Sequence, residues 1–367
     1  MAVTTEQVRW FRLRQAELLT PFPTPEAAAE AHCGIQAQIL VAAGLALWQR
    51  TPDLTYAALD ARLHTARTLV KLWGQRGTLH LYPSADWPLL CSALSIHPTW
   101  WERQAKQRDE HAVFEATITR VAALLQEHGT LTRTALRQLA PELEETYHSS
   151  WGGIFGELTH RGIACHAGKE GSAGRFAHRP HWLPDLPWNP PDPEQANRML
   201  AERYFRCYGP ATEQDFRYWR GTRAAHSRRW IAALGETLEM VDVAGEAQLV
   251  HRDARDALHT IPPERDGWPV KLLYRFDPYL LAHKDKGWLI DAAHYPRVWR
   301  PAGHIEGTLL EHGRIAGTWR YDRAGGGLIV TLEPFAPLPH HVQQAVEQQA
   351  EGIAAFLDLP LVEIITT

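Results

Sequence analysis

The stretch His128-Gly-Thr-Leu-Thr-Arg-Thr-Ala-Leu136 decides the fold. A turn-forming His128-Gly129-Thr130 precedes Thr132, whose hydroxyl can cap a helix, and the fourth residue after it, Leu136, is apolar. The same arrangement stands at Leu54-Thr55 with Leu59, behind Thr51-Pro52-Asp53, and at Ala211-Thr212 with Phe216, behind Tyr208-Gly209-Pro210. One helical module is therefore used three times.

The pattern continues beyond each threonine. After Thr132, a short helix leads to Ser150-Trp-Gly-Gly-Ile-Phe-Gly-Glu-Leu158, which reads as a second helix, and then to strands over 162–166 and 174–178 across a glycine-rich turn, 168–174. After Thr55, a helix to about residue 63 leads to 68–73, the turn Gly74-Gln-Arg-Gly77, and the alternating Thr78-Leu-His-Leu-Tyr82. Short helix, turn, second helix and basic hairpin is the order of a winged helix-turn-helix, and glycine-tipped hairpins with basic flanks suit a DNA backbone. The third copy has helices over 193–208, 212–219 and 223–234 and strands over 238–243 and 248–250. Beyond it the pattern turns to strands, over 287–290, 307–311, 314–321 and 327–332, with a helix over 339–357 and a last segment, 361–365. The expected fold is α+β, with three tandem winged helix-turn-helix modules and a β-rich C-terminal addition. The expected division is 1–110, 111–183, a proline-rich connector at 184–192, and 193–367.

The chain of 367 residues is 45% hydrophobic with 15 tryptophans, enough to bury the cores of two or three domains. No apolar stretch approaches membrane-spanning length and the N-terminal MAVTTEQVRWFRLRQ becomes charged at once, so cytoplasmic residence without a membrane partner is expected. The cysteines, Cys33, Cys91, Cys165 and Cys207, are far apart and none of the 20 histidines stands in an HExxH pattern, so free thiols, no metal and no cofactor are expected. A formal charge of −4 argues against a protein that coats nucleic acid nonspecifically. Charge is local instead. Between 198 and 229, Arg198, Arg203, Arg206, Arg217, Arg220, Arg223, Arg228 and Arg229 meet only Glu202, Glu213 and Asp215, and between 161 and 179 four cations meet only Glu170. Each run is either a salt-bridged solvated face or a surface that meets phosphate on one side.

Gln36-Ala37-Gln38 stands behind Gly34 at the head of the apolar run Ile39, Leu40, Val41, Leu45, Leu47 and Trp48. Gly34 ends a helix over 25–33 and a second begins near 39, which leaves the pair on extended backbone with both amides aimed one way. Amides hold a water or a sugar but do not titrate, so they supply neither strong acid nor strong base. A reaction they promote needs a leaving group activated beforehand. The plainer reading is a solvated or capping pair.

On the stretches Gly34-Ile-Gln-Ala-Gln38, Trp73-Gly-Gln-Arg-Gly-Thr-Leu-His80, Arg203-Tyr-Phe-Arg-Cys-Tyr-Gly-Pro-Ala-Thr212, Phe276-Asp-Pro-Tyr-Leu-Leu281 with Lys284-Asp-Lys286, and Ala316-Gly-Thr-Trp-Arg320, the chain resembles the AlkZ-type DNA glycosylases, a family of tandem winged-helix proteins. The resemblance implies excision of alkylated purines, with crosslink unhooking in some members, and a catalytic motif that Gln36 and Gln38 match. Alkylation at N7 or N3 charges the purine and weakens its glycosidic bond, so the base leaves without a strong acid and no lysine nucleophile is needed. A monofunctional enzyme is expected, a monomer whose partner is duplex DNA containing alkylated purines. Arg76 in the first hairpin, Arg175 and Arg179 in the second, and Lys284 and Lys286 are candidate phosphate contacts. The hairpin 308–319, with His312-Gly313 at its turn and Arg314 beyond, either presses into a groove opposite the glutamines or is sheet scaffold. Asp277 either polarises a water near the lesion or turns the chain before Pro278, and Trp100-Trp101 read as core. A winged-helix transcription regulator and a damage-binding protein without turnover share the repeats.

Overall fold

The three threonine caps form as the sequence requires. In a computed structural model, which describes residues 3–149 and 152–367, the hydroxyls of Thr55, Thr132 and Thr212 accept the amides of Ala58, Ala135 and Asp215 at 3.1 Å each. They start the helices Tyr56–His64, Arg133–Leu139 and Glu213–Arg220, and Leu59, Leu136 and Phe216 are buried behind them. The third cap is reciprocal, because Asp215 Oδ2 accepts the Thr212 amide at 3.0 Å and hydroxyl at 2.7 Å, while Oδ1 accepts the Lys284 amide at 2.7 Å. Thr212→Val is expected to lower stability by about 1 kcal/mol, read from the urea midpoint; an unchanged midpoint contradicts the capping role.

The chain packs as two compact units, residues 60–199 and residues 1–59 with 200–367. In the unit 60–199, one sheet runs in the order Leu79–Pro83, Leu69–Trp73, Ala164–Glu170, Ala173–His178, Thr130–Thr132. Lys71 faces His166 across antiparallel neighbours, so the two expected hairpin wings are parts of one sheet. The helices His111–His128, Arg133–Leu139 and Gly153–His160 contribute Phe114, Val121, Leu136 and Phe155 to a core that includes Phe176 of the sheet, and the Phe155 and Phe176 rings stack at 4.2 Å. The helix expected over 150–158 begins at Gly153; Ser150 and Trp151 lie outside the described residues. The expected turn 168–174 shrinks to Gly171-Ser172, because a register shift between His166 and Lys169 absorbs Gly168 and lets the strand continue.

The proline-rich 184–192 is packed within this unit. Arg179 lies 3.7 Å over the Trp188 ring, Trp87 meets that ring edge-on at 5.8 Å, and the Ser92 hydroxyl donates to the Pro191 carbonyl. Trp100 departs from the expected core: it is 54% exposed, whereas Trp101 stacks on Tyr147 at 5.8 Å.

The other unit is discontinuous because the first helix, Thr5–Gln15, is buried on two sides. Val8 and Phe11 pack with Val241, Val243 and Val250 of the hairpin Leu238–Val243/Glu246–His251, and Leu13 joins Trp268, Leu280, Leu310 and Ile315. The C-terminal sheet runs Leu361–Thr366, Gly327–Pro334, Arg314–Ala324, Gly307–Glu311, Lys271–Leu273, with the last segment of the chain parallel to its neighbour. The expected strand 287–290 is a turn, with the Leu289 and Ile290 amides both on the Lys286 carbonyl at 2.9 Å. Its apolar residues reflect burial, and the segment meets the sheet through the Ile315 amide on the Leu289 carbonyl at 2.9 Å. The helix His340–Phe356 meets the helix Leu40–Trp48 so closely that a Cβ on Gly44 would come within 2.7 Å of the Phe356 ring. That contact seats the helix that carries the glutamine segment.

Candidate active site

The glutamine segment is shaped by the helix that ends before it. Thr24 caps Pro25–Ala31, and the chain leaves through His32, Cys33 at φ +53° and Gly34 at φ +95°, with the Gly34 amide returning to the Ala29 carbonyl at 2.7 Å. The helix thus stops two residues earlier than expected. Extended backbone covers Ile35–Gln36, and the chain bends at Gln38-Ile39 into Leu40–Trp48. Ile35 and Ala37 are fully buried, Gln36 is 8% exposed and Gln38 is exposed. The two amides therefore differ in burial, one seated inside the protein and one at its surface. A seated amide has a fixed orientation, and an exposed one is open to a bound strand.

Behind this segment lies a buried charged network. Arg50 and Asp277, both without solvent exposure, pair through two hydrogen bonds of 2.9 Å. Arg50 also donates to the Ala46 carbonyl at 2.8 Å and, through Nε, to His32 Nε2 at 2.9 Å. That bond puts the imidazole proton on Nδ1, 3.0 Å from the Tyr208 hydroxyl and 3.3 Å from Cys207 Sγ, and the Tyr208 hydroxyl donates to the His32 carbonyl at 3.0 Å. Burial, reinforced by Arg50, holds the His32 imidazolium well below the usual histidine range. Burial opposes the charge on Arg50, but Asp277 more than offsets it and raises the guanidinium pKa. The turn His32-Cys33-Gly34 that delivers Gln36 is thus fixed from behind. Asp277 Oδ1 also accepts the Tyr279 amide at 2.9 Å. Of the two readings of Asp277, the structure supports the turn: its carboxylate caps the helix Pro278–Leu281 and is sealed from solvent. Arg50 and His32 were missed, because nothing in their spacing ties them to a carboxylate 227 residues away.

The candidate phosphate contacts fall into two groups, by unit. In 60–199, Arg76 is half-buried at φ +57° in the turn between Leu69–Trp73 and Leu79–Pro83. Arg175 donates to the Ala167 carbonyl at 3.1 Å, and Arg179, besides covering Trp188, donates to the Gly162 carbonyl at 2.8 Å. Lys71, which no sequence motif marks, is pushed down to about 8 by burial and by Lys169. In the other unit, Lys284 is exposed, but Lys286 is only 7% exposed, with its ammonium on the His283 carbonyl and 5.6 Å from the Tyr218 and Trp299 rings. Lys286 is therefore held largely by packing within its unit. The hairpin turn at His312-Gly313 is packed against the first helix. His312 pairs with Glu6 at 2.9 Å over the Trp268 ring, Gly313 is buried beside Leu13 and Arg9, and its carbonyl accepts the Tyr279 hydroxyl at 3.2 Å. Arg314 pairs with Asp291. Such a turn has no free tip to press into a groove.

His80, in the Trp73–His80 stretch, sets a pH dependence. Burial, then Arg76, lowers its pKa to about 3, against an opposing bond to the Thr78 carbonyl. The unfolded chain protonates this ring near 6.5, so the neutral ring stabilises the fold above that pH and the contribution is lost as pH falls towards 3. Between pH 6.5 and 5, His80→Gln is expected to lose about 2 kcal/mol less than the parent chain in urea unfolding. Equal losses contradict the assignment.

Comparison with known proteins gives three findings. The family described as DNA glycosylase AlkZ-like matches residues 29–356. A relative from Streptomyces sahachiroi, an interstrand DNA cross-link repair glycosylase, is 30% identical, with 96% of each chain covered. The solved structure of Streptomyces sahachiroi DNA glycosylase AlkZ superposes with a TM-score of 0.83 at 27% identity, over 100% of both chains.

Proposed function

The chain belongs to the AlkZ-like DNA glycosylase family and is a DNA glycosylase, and from that premise we propose that it hydrolyses the N-glycosidic bond of N7- and N3-alkylated purines in duplex DNA through Gln36 and Gln38. The observation that carries the proposal is the glutamine segment itself: two amides differing in burial, on a run that holds no carboxylate or lysine from Cys33 to Gln49. Amide carbonyls accept hydrogen bonds from a water and face developing positive charge, but they do not protonate a leaving group. The substrate supplies that activation. A cationic purine departs with the electron pair of its bond to C1′, the water oxygen bonds to C1′, and the water's proton passes to solvent. The products are a free base and an abasic site on an intact strand.

An interstrand crosslink through N7 is activated in the same way, which extends the proposal to unhooking; the Streptomyces sahachiroi relative is named for interstrand cross-link repair. The three threonine-capped helices, each leading on to a hairpin, mark the winged-helix modules of this proposal, and the active species is a monomer. Duplexes carrying N7-methylguanine, N3-methyladenine or an N7-linked crosslink, assayed for released base and strand separation, test this. Release from each without strand cleavage is expected. Sequence-specific binding with no release from any of them contradicts it and favours a regulator.

A further inference from the structure

We infer that the helices Glu213–Arg220 and Ala224–Leu234 present a second duplex-contacting face, in which Arg217, Arg223 and Arg228 hold backbone phosphates away from the lesion. This rests on the DNA glycosylase reading and names a contact surface for it. The sequence alone left the arginine run open between a salt-bridged face and a phosphate-binding one, and the side chains now sort it. Arg203 pairs with Glu30 at 3.2 Å, and Arg206 pairs with Asp253 at 3.0 Å. Arg220 is buried, 5.9 Å from the Trp230 ring. Those members are neutralised or enclosed. From Phe216 to Gly235 the chain has five arginines and no carboxylate, and the side chains of Arg217, Arg223 and Arg228 have no ion-pair partner among the described residues.

The fold concentrates these charges. Gly221, left-handed at φ +69°, ends the first helix, and Arg223 starts the second, so only a short turn separates Arg217 from Arg223, with Arg228 just over one turn further along the second helix. Arg223 and Arg228 are exposed and Arg217 is half-buried. Exposed Lys284 adjoins them, because its amide is held by Asp215 of the first helix. Glu213 accepts the Ser227 hydroxyl and Asp215 is taken up by its cap and the Lys284 amide, so on a chain of net charge −4 the three arginines keep positive charge that an anion can cover. Regularly spaced phosphates of a duplex supply such a cover, and a helix pair followed by the hairpin Leu238–Val243/Glu246–His251 is a shape that lies along a DNA backbone.

The test uses the full chain and an unmodified duplex of arbitrary sequence, with binding followed by fluorescence anisotropy across a salt series. Replacing Arg217, Arg223 and Arg228 together by alanine is expected to reduce the slope of log affinity against log salt by about 2–3 and to weaken binding at least about tenfold near 100 mM salt. The matching triple lysine variant keeps the slope, which separates charge from local misfolding. An alanine variant with the parent's slope and affinity overturns the inference. If that happens while the parent chain still releases alkylated base, the surface assignment fails alone; a parent chain that neither binds duplex nor releases base sinks both.

Discussion

Gln36→Ala and Gln38→Ala should each slow single-turnover release of 7-methylguanine from duplex DNA by about a hundredfold, and the double variant should be little slower than either single one. The pair positions one water, and groups that act as a unit do not contribute additively. The variants differ in their side effects. Gln38 is exposed, so its loss should leave the unfolding midpoint within about 0.5 kcal/mol of the parent. Gln36 is 8% exposed, so truncation there also removes a buried polar group and lowers stability by about 1–2 kcal/mol. Rates measured at a temperature well below both midpoints separate the two effects. A double variant slower than either single one by a further hundredfold would mean that the amides act independently, against the shared-water account.

Asp277→Ala is expected to be the most destabilising single change in the molecule, by about 3–5 kcal/mol, because it leaves the Arg50 guanidinium buried without its counter-charge. The effect should reach beyond stability. Arg50 holds His32 through Nε, and His32 begins the turn that delivers Gln36, so the excision rate of the folded fraction should fall too. Replacing both partners by apolar residues, Arg50→Met with Asp277→Leu, removes both charges and should recover most of the lost stability, yet not the rate, since His32 loses its donor. Chemical unfolding of the single and double variants, beside their single-turnover rates, checks this. A loss below about 1 kcal/mol in Asp277→Ala would mean that solvent reaches the pair and that the turn is held by something else.

The fold was legible wherever local chemistry decided it. Thr55, Thr132 and Thr212 announce helix starts because a capping hydroxyl and an apolar residue four positions on are short-range signals, and both were realised. The end of the helix before the glutamine segment was legible for the same reason, since Gly34 closes it, but the chain bends at Gln38 and leaves the two amides differing in burial. What escaped depends on partners distant in the chain. The segment 287–290 looked like a strand because Trp288, Leu289 and Ile290 are apolar, but the Leu289 and Ile290 amides fold back on Lys286, and the strand beside it meets it through the Ile315 amide alone among the described residues. The turn at His312-Gly313 looked like a free tip because glycine at a hairpin is common to inserted and packed ribbons alike; only the first helix, some 300 positions away, makes it packed. Arg50 sat in plain view between Gln49 and Thr51, yet its meaning rests on a carboxylate in another part of the chain.

The central claim is that neutral amides orient water towards a base already primed to leave, so that no titrating group of the protein takes part in the rate-determining step. Its most direct test is the single-turnover rate of 7-methylguanine release, at saturating protein, as a function of pH from 6.5 to 8.5. A profile that parallels the uncatalysed release of the same base is predicted, because glutamine amides have no ionisation in that range. A further limb, absent from the uncatalysed release, in which the rate changes tenfold per pH unit would reveal a protein acid or base at work and contradict the account.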